Sequence, residues 1–479
     1  MRSHIPLTLS AEQCRAARLA RDSRFDGRFL VGVRSTGIYC RPICRVKAPL
    51  EKNVSYFSCA AQAELQGLRP CLRCRPELAP PAHDWRVHQP KLQRAMALLC
   101  SQQITGVVAL ADACFLSERQ LRRLFQQHLG VSPLQALSTH RLLQAKQLLT
   151  DTRLPITDIA YAAGFSSIRR FNDAFAAAYR LSPSRFRKDQ GAAMPAATIQ
   201  LRLCYRPPLD FSALLPFFAH RAINGLEEVR DGIYRRRLGP EQAFTVQQGE
   251  GDALLLTLEG IEPGRYAELQ QRVRRMWDLD ADLTQIHQTL DQEPILRAIS
   301  AQWPGLRLPS YWDGWETLLR AIVGQQISVA GAITILGRLV TRHEAMGGFG
   351  LPTPEALARM DLTAIGMPGA RVRTLHAAAQ MAMETPLDGW PDPQATAQKL
   401  AQVKGIGPWT VAYWCLRSGA DPDSFPANDM VLLKAARQLG LAQDAKALTQ
   451  RAQPWAPWRG YAASLLWQST MTEQEQRKP

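Results

Sequence analysis

Two pairs of cysteines carry the most direct promise of chemistry in this 479-residue chain. Cys40 and Cys44 stand in STGIYCRPICRVKAPLEKN, and Cys71 and Cys74 in RPCLRCRP. A pair spaced by two or three residues delivers two thiolates from one tight turn. A loop that returns the second pair completes the tetrahedral set that zinc takes, so one Zn2+ in a four-cysteine site is expected. Cys14, Cys59, Cys100, Cys114, Cys204 and Cys415 are isolated and read as core fillers. Arg34, Arg41, Arg45, Lys47, Arg69, Arg73 and Arg75 flank the ligands in sequence. A four-thiolate zinc site is formally a dianion, so these cations would stabilise it and could also recruit phosphate. Metal-held thiolates stay deprotonated and keep nucleophilic character. Spacing alone does not tell whether Cys40 or Cys44 would react.

A second constellation lies far along the chain. VKGIGPWTVAYW, residues 403–414, sets Gly405 and Gly407 between helical segments. Glycines there let the backbone approach a phosphate, with N–H groups at a helix start as donors. This is a helix-hairpin-helix signature, and binding through main-chain groups needs no basic face. FPANDM, residues 425–430, places Asp429 after the hairpin helix, at the expected start of the next one. No cysteine follows Cys415, so no iron–sulfur cluster is expected.

These groups need distinct elements to position them. Residues 91–188 follow helical spacing almost throughout. VVALADACFLSERQLRRLFQQH (107–128) and ITDIAYAAGFSSIRRFNDAFAAAY (156–179) each read as a short helix, a turn, and a serine-started helix with arginines on one face. Ser117 and either Ser166 or Ser167 are the expected N-caps, and Gly164 fits the turn. TIQLRLCY, GIYRRRL, AFTVQQ and ALLLTLE are short β-rich runs between residues 198 and 260, and helical spacing returns from about Leu283. APPAHD (79–84) and GAAMPAAT (191–198) read as linkers.

The net charge of +16 is unevenly placed. Residues 1–90 carry 15 basic against 7 acidic side chains, residues 91–190 carry 14 against 6, and residues 191–479 carry 29 against 29. A basic front on a neutral remainder points to a polyanion partner, most commonly nucleic acid. No apolar run reaches the ~18–20 residues of a membrane span, and the start of the chain has no signal-like apolar stretch. A cytoplasmic location, with no membrane partner, is expected.

Three family resemblances sharpen these readings. FLVGVRSTGIYCRPICRVK, NVSYF and GLRPCLRC make residues 11–78 resemble the N-terminal domain of Ada-type adaptive-response regulators. The resemblance implies that Cys40 accepts a methyl group from a DNA methylphosphotriester, with Cys44, Cys71 and Cys74 completing the zinc site. It implies stoichiometric transfer, because a thioether does not regenerate. Loss of one negative charge would then weaken repulsion from DNA phosphates and switch the protein toward sequence-specific binding. Arg45 is a candidate DNA contact. The two helical units, joined by the helix around LLQAKQLL, resemble an AraC-type double helix-turn-helix over residues 90–188. Recognition helices are expected near 117–127 and 167–178, with Arg119, Arg122, Arg123, Arg169 and Arg170 as base or phosphate contacts.

From Leu201 to Trp467 the chain resembles AlkA-type 3-methyladenine DNA glycosylases, through CYRPPLDF, GLRLPSYWDGWETLLRAIVGQQISVAGA, IGMPGAR, GIGPWTVAYW, FPANDM and APWRGYAASLLW. The resemblance implies a flipped alkylated base, Asp429 as the catalytic carboxylate beside C1′, and Trp409, Tyr413 and Trp467 as aromatic walls. Gln326 stands where that family places a wedge leucine and would make a less apolar plug. Lys399 and Lys404 near the hairpin read as surface or phosphate-contact residues, so a monofunctional glycosylase is expected. No PCHR sequence occurs, so direct repair of O6-alkylguanine is not expected.

The expected architecture is multidomain α+β. Residues 1–80 form a small zinc α/β domain, 88–190 an all-α double helix-turn-helix, 197–285 a small antiparallel β-rich domain, and 286–479 an all-α helix-hairpin-helix glycosylase body. The expected partner is double-stranded DNA, damaged and promoter, with RNA polymerase a further candidate. A monomer associated with the bacterial nucleoid is expected.

Overall fold

The computed structural model describes residues 9–81, 90–100, 106–188, 198–388 and 393–476. Ser10 opens α1 (Ala11–Ala20) by accepting from the Gln13 N–H, while the Gln13 side chain accepts from the Ser10 N–H. Then come β1 (Leu30–Val33), β2 (Ile38–Cys40), β3 (Val54–Phe57), α2 (Ala60–Leu65) and β4 (Arg69–Pro70), with the sheet ordered β3-β1-β2-β4. β1 pairs antiparallel with β2 and β3, whereas β4 runs parallel to β2. Gly32 sits in the central strand because a Cβ there would meet Phe57 and Leu68 side-chain atoms at 2.4 and 2.5 Å. The apolar clusters of this sheet are small, as expected of a fold that leans on a metal.

The helical stretch holds α3 (Pro90–Cys100), α4 (Val107–Ala113), α5 (Glu118–Leu129), α6 (Pro133–Asp151), α7 (Ile156–Ala162), α8 (Ile168–Tyr179) and α9 (Pro183–Lys188). Ser117 caps α5, and of the two candidate serines it is Ser167 that caps α8, accepting from the Arg170 N–H. Gly164 adopts φ +81° in the second turn. The long helix α6 is buried well beyond an apolar stripe: Thr139, Gln144, Lys146 and Gln147 are as enclosed as Leu142 and Leu148. The cysteine-bearing segment supplies the polar partners. Lys146 pairs with Glu77, Thr139 donates to Glu64, and Arg75 reaches Asp151 at 2.7 Å.

Next in the chain are β5 (Thr198–Cys204), α10 (Phe211–Ala219), β6 (Glu227–Arg230), β7 (Ile233–Arg237), β8 (Ala243–Gln248) and β9 (Ala253–Glu259). β5 and β9 form an antiparallel ladder from Thr198↔Glu259 to Cys204↔Ala253, and β6, β7 and β8 form an antiparallel meander. All four β-rich runs are strands. Two elements escaped the pattern: α10, whose apolar run contains Pro216, and β6, whose EEVR is too charged to read as a strand.

The remainder is helical: α11 (Tyr266–Met276), α12 (Leu283–Leu290), α13 (Pro294–Gln302), α14 (Gly314–Val323), α15 (Val329–Ala345), α16 (Pro354–Arg359), α17 (Gly369–Glu384), α18 (Pro393–Gln402), α19 (Pro408–Arg417), α20 (Met430–Gln438), α21 (Ala445–Arg451) and α22 (Arg459–Gln476). Leu318, Ile322, Leu336, Leu339, Leu375 and Trp414 anchor its main core. Beside it runs a buried ion network. Arg236 pairs with Glu227 and Glu316, and Arg320 pairs with the same two carboxylates. Burial pushes the Glu316 carboxyl up, but the two guanidiniums outweigh it and hold it down at about 2.

The chain divides into two compact units, Met1–Pro207 with Gly249–Gln271, and Pro208–Gln248 with Arg272–Pro479. The multipart α+β class expected from sequence is what the structure shows. Residues 82–84 and 191–197 of the two expected linkers lie outside the described residues. Among the described residues no helix is long and apolar enough to cross a membrane.

Candidate functional sites

Strand pairing builds the cysteine cluster. β2 and β4 align Tyr39 with Pro70, so Cys40 and Cys71 lie side by side at the ends of parallel strands. The Cys71 N–H donates to Tyr39 O at 2.9 Å and secures that register. Cys44 returns through a turn closed by its own N–H on Arg41 O at 3.2 Å. The four Sγ atoms of Cys40, Cys44, Cys71 and Cys74 all lie within 4.8 Å of one another. A tetrahedral Zn–S distance of ~2.3 Å asks for about 3.8 Å between sulfurs, so the cluster fits one zinc. The Arg41 backbone N–H donates to Cys74 Sγ at 3.3 Å, as a thiolate acceptor would favour. Cys40 and Cys71 are buried, Cys44 and Cys74 half-buried. Of the isolated cysteines, Cys14, Cys114, Cys204 and Cys415 are buried, but Cys59 is only half-buried, and the Cys100 side chain lies outside the described residues.

The flanking cations separate by burial, with Arg69 half-buried between the enclosed and the exposed ones. Arg41 is buried and paired with Asp26, and Arg75 bridges Glu77 and Asp151. These two hold structure together, because a guanidinium withdrawn from water is stabilised by the carboxylates that answer it. Arg34, Arg45, Lys47 and Arg73 are exposed. Farther along, Arg119, Arg122 and Arg123 on α5 and Arg169 and Arg170 on α8 are all exposed, with Arg122 held to Glu118 at 2.8 Å.

In the other unit, Gly405 takes φ +95°, and a Cβ there would sit 2.1 Å from Thr374 Oγ1. Thr374 Oγ1 in turn donates to Lys404 O at 3.0 Å. Gly407 caps α19, Pro408 begins it, and open space faces the Gly407 Cα. Asp429 caps α20, as its position after the hairpin implied. Its Oδ1 accepts from Val431 N (3.1 Å), Leu432 N (2.9 Å) and Trp467 Nε1 (3.0 Å), and its Oδ2 from Trp409 Nε1 (2.9 Å). The two tryptophans expected as walls are therefore also donors that clamp the carboxylate. Trp409 and Tyr413, one turn apart on α19, stack at 5.0 Å and 21°.

Gln326 sits exposed between α14 and α15 at φ +57°. Its neighbour Gln325 donates through Nε2 to Gly405 O and to Thr410 Oγ1, both at 3.0 Å, which ties this loop to the hairpin. Lys399 donates to Thr385 Oγ1 at 2.9 Å, and Lys404 is exposed. Sequence reasoning missed Gln325, Tyr311 and Arg417. The Arg417 guanidinium is buried over the rings of Phe217 and Trp467, 4.7 Å from each centroid, and burial pulls its pKa down. The spacing of Trp409, Tyr413 and Arg417 at four-residue intervals on one helix was the available signal.

Known families match along the chain. Residues 13–77 match the metal binding domain of Ada, 110–189 a helix-turn-helix domain, 200–313 the AlkA N-terminal domain, and 319–457 the HhH-GPD superfamily base excision DNA repair protein. A Mycobacterium tuberculosis protein described as a probable bifunctional transcriptional activator/DNA repair enzyme AlkA is 38% identical over 477 residues, covering 95% of this chain and 96% of the relative. The Escherichia coli K12 DNA-3-methyladenine glycosylase 2 is 32% identical over 280 residues, 55% of this chain and 95% of the relative. The Escherichia coli K12 bifunctional transcriptional activator/DNA repair enzyme Ada is 43% identical over 115 residues, 24% of this chain and 32% of the relative.

Proposed function

The chain belongs to the family of bifunctional transcriptional activator/DNA repair enzymes of the AlkA type, and on that premise we propose how its residues divide the work. It combines a 3-methyladenine-type DNA glycosylase with an Ada-type zinc methyl acceptor and an AraC-type activator. It binds DNA through its helix-turn-helix and glycosylase portions.

In the glycosylase, an alkylated purine is cationic and already a good leaving group once flipped from the stack. Trp409 and Tyr413 receive the base, and the hairpin at Gly405 and Gly407 grips the backbone through main-chain N–H groups. C1′–N cleavage leaves positive charge on the sugar, which the Asp429 carboxylate stabilises while water adds at C1′. The observation that carries this reading is the Asp429 carboxylate, fixed by four N–H donors at a helix start beside two stacked aromatic rings. A fixed anion needs no reorganisation when the cation forms. Gln326, on an exposed tip tied to the hairpin by Gln325, fills the space the base leaves.

In the methyl acceptor, Cys40, Cys44, Cys71 and Cys74 hold the metal. Zinc, when bound, keeps these thiolates deprotonated at neutral pH. The Cys40 sulfur attacks the methyl carbon of a phosphotriester, the S–C bond forms, and the C–O bond breaks. The protein keeps a thioether and the DNA regains a phosphodiester. Arg45, with the exposed Arg34, Lys47 and Arg73, draws the backbone in, and Arg119, Arg122, Arg123, Arg169 and Arg170 engage promoter DNA. The four-part division at residues 1–80, 88–190, 197–285 and 286–479 follows these roles. RNA polymerase is the partner for activation and the protein acts as a monomer, while a cytoplasmic location fits the bacterial relatives.

The experiment is release of free base from methylated duplex DNA by the full chain and by Asp429→Asn. The reading predicts release by the first and near-background release by the second. No release by the first, or equal release by both, rejects it.

A further inference from the structure

The Trp409–Tyr413 stack beside Asp429 meets a phenol from another part of the chain. Tyr311, in the segment that precedes α14, places its hydroxyl 3.0 Å from that of Tyr413. The contact is braced from several directions. The Tyr311 N–H donates to Arg417 O at 2.9 Å, and Arg417 Nη1 donates to Pro309 O at 2.9 Å, so the segment is zipped to the end of α19. The Tyr311 ring packs against Phe217 at 5.7 Å, and the Arg320 guanidinium lies 4.7 Å from its centroid. Tyr311 is only 6% exposed, whereas Tyr413 is half-buried.

Two phenols at this distance share one proton donor, and burial decides which. Were Tyr413 the donor, Tyr311 would bury a hydroxyl proton with no acceptor among the described residues. A buried unsatisfied donor is costly, so the favoured arrangement has Tyr311 donate and Tyr413 accept. The Tyr413 proton is then directed away from Tyr311, and Tyr413 is itself only half-buried. Burial, followed by the neighbouring Tyr413, pushes the Tyr311 pKa well up despite Arg221, Arg320 and Arg417, so Tyr311 remains a donor across the working pH range.

We propose that Tyr311 is a positioning residue for base recognition: it fixes the ring and the hydroxyl direction of Tyr413, so that Tyr413 offers a hydrogen-bond donor to an acceptor edge of the extruded base. This inference rests on the glycosylase reading of the Asp429 site. A pocket so arranged favours bases that present an acceptor to Tyr413 in addition to a ring face for stacking.

The test is a double-mutant cycle in the full chain, measuring kcat/KM for release of N-methylated purines from methylated duplex DNA, with calorimetric Tm as the folding control. Tyr311→Phe removes one hydroxyl and is expected to lower kcat/KM by between about two- and tenfold with Tm little changed. Tyr413→Phe should lose a similar factor, and the double variant should lose no more than Tyr413→Phe alone. Tyr311→Leu, which removes ring and hydroxyl together, should lose at least as much as Tyr311→Phe. Wild-type kcat/KM in Tyr311→Phe or in Tyr311→Leu, or losses that multiply in the double variant, would overturn the proposal. Asp429→Asn, run alongside, separates the two levels. Loss of release there with independent tyrosine effects rejects the positioning role alone, whereas unchanged release there rejects the glycosylase reading beneath it.

Discussion

The cysteine cluster and the Asp429 site solve opposite electrostatic problems with opposite means. At the cluster four sulfurs gather within 4.8 Å, with Arg41 and Arg75 nearby turned to internal carboxylates and Arg34, Arg45, Lys47 and Arg73 to solvent. At Asp429 a single carboxylate is held by two indoles and two backbone amides, and Arg417 over the Trp467 ring is enclosed. The first suits a nucleophile that is consumed when it takes a methyl group. The second suits an anion that stabilises a passing cation and survives it. The contrast also explains the charge map. The second unit is not poor in arginine; Arg236, Arg307, Arg320 and Arg417 are buried, facing carboxylates or carbonyls. On the proposed reading, a hairpin that grips DNA through main-chain groups leaves arginine free for internal architecture.

If the two sites are chemically separate, damage to one should spare the other. Cys40→Ala should abolish methyl uptake from methylphosphotriester DNA, read by mass spectrometry of the peptide, while base release stays within about twofold of wild type, as expected for sites that share no residue. Methylation found on Cys44 instead would reassign the nucleophile. Asp429→Asn should lower kcat for base release by about 10²–10³-fold and leave methyl uptake intact. Glu316→Gln tests the internal arginines: removing one partner from a buried ion network should destabilise the unit by about 3–5 kcal/mol in denaturant titration.

That same carboxylate gives the pH dependence its sign. Glu316 is held at about 2 from an ordinary 4.5, so its stabilising contribution is complete above about pH 4.5 and is lost as pH falls toward 2. Stability that rose over that acid interval would contradict the network. The smallest effect sharpens the surface contrast. Neutralising one exposed arginine, such as Arg119→Gln, should reduce the salt slope of promoter binding by about 0.9 if it contacts a phosphate. An unchanged slope would remove Arg119 from the phosphate contacts.

Local features proved readable where the chemistry is local. Ser117 was recognisable as a cap because a short hydroxyl before an amphipathic run satisfies a helix's first N–H groups, and Asp429 because its place followed from the hairpin. The choice between Ser166 and Ser167 turned on which hydroxyl accepts from the Arg170 N–H, which composition does not encode. α10 stayed hidden behind Pro216, and β6 behind its acidic residues. Arg41 looked like its exposed neighbour Arg45, since nothing near it in sequence announces Asp26. The donor role of Trp409 and Trp467 was equally hidden, because ring residues suggest stacking before they suggest an N–H aimed at a carboxylate.

By itself the sequence determined the ligand set for zinc, the helix-hairpin-helix glycines, the helical and β-rich stretches and the uneven charge, all of which depend on residue types at short spacing. Tertiary structure alone decided what those residues meet. The parallel pairing of β2 with β4 sets Cys40 beside Cys71, and long-range contacts bring Trp467 to Asp429, Tyr311 to Tyr413 and Glu77 to Lys146. The physical reason is range. Capping and periodicity act within a few residues, whereas burial and ion pairing select among partners that only the folded chain brings together.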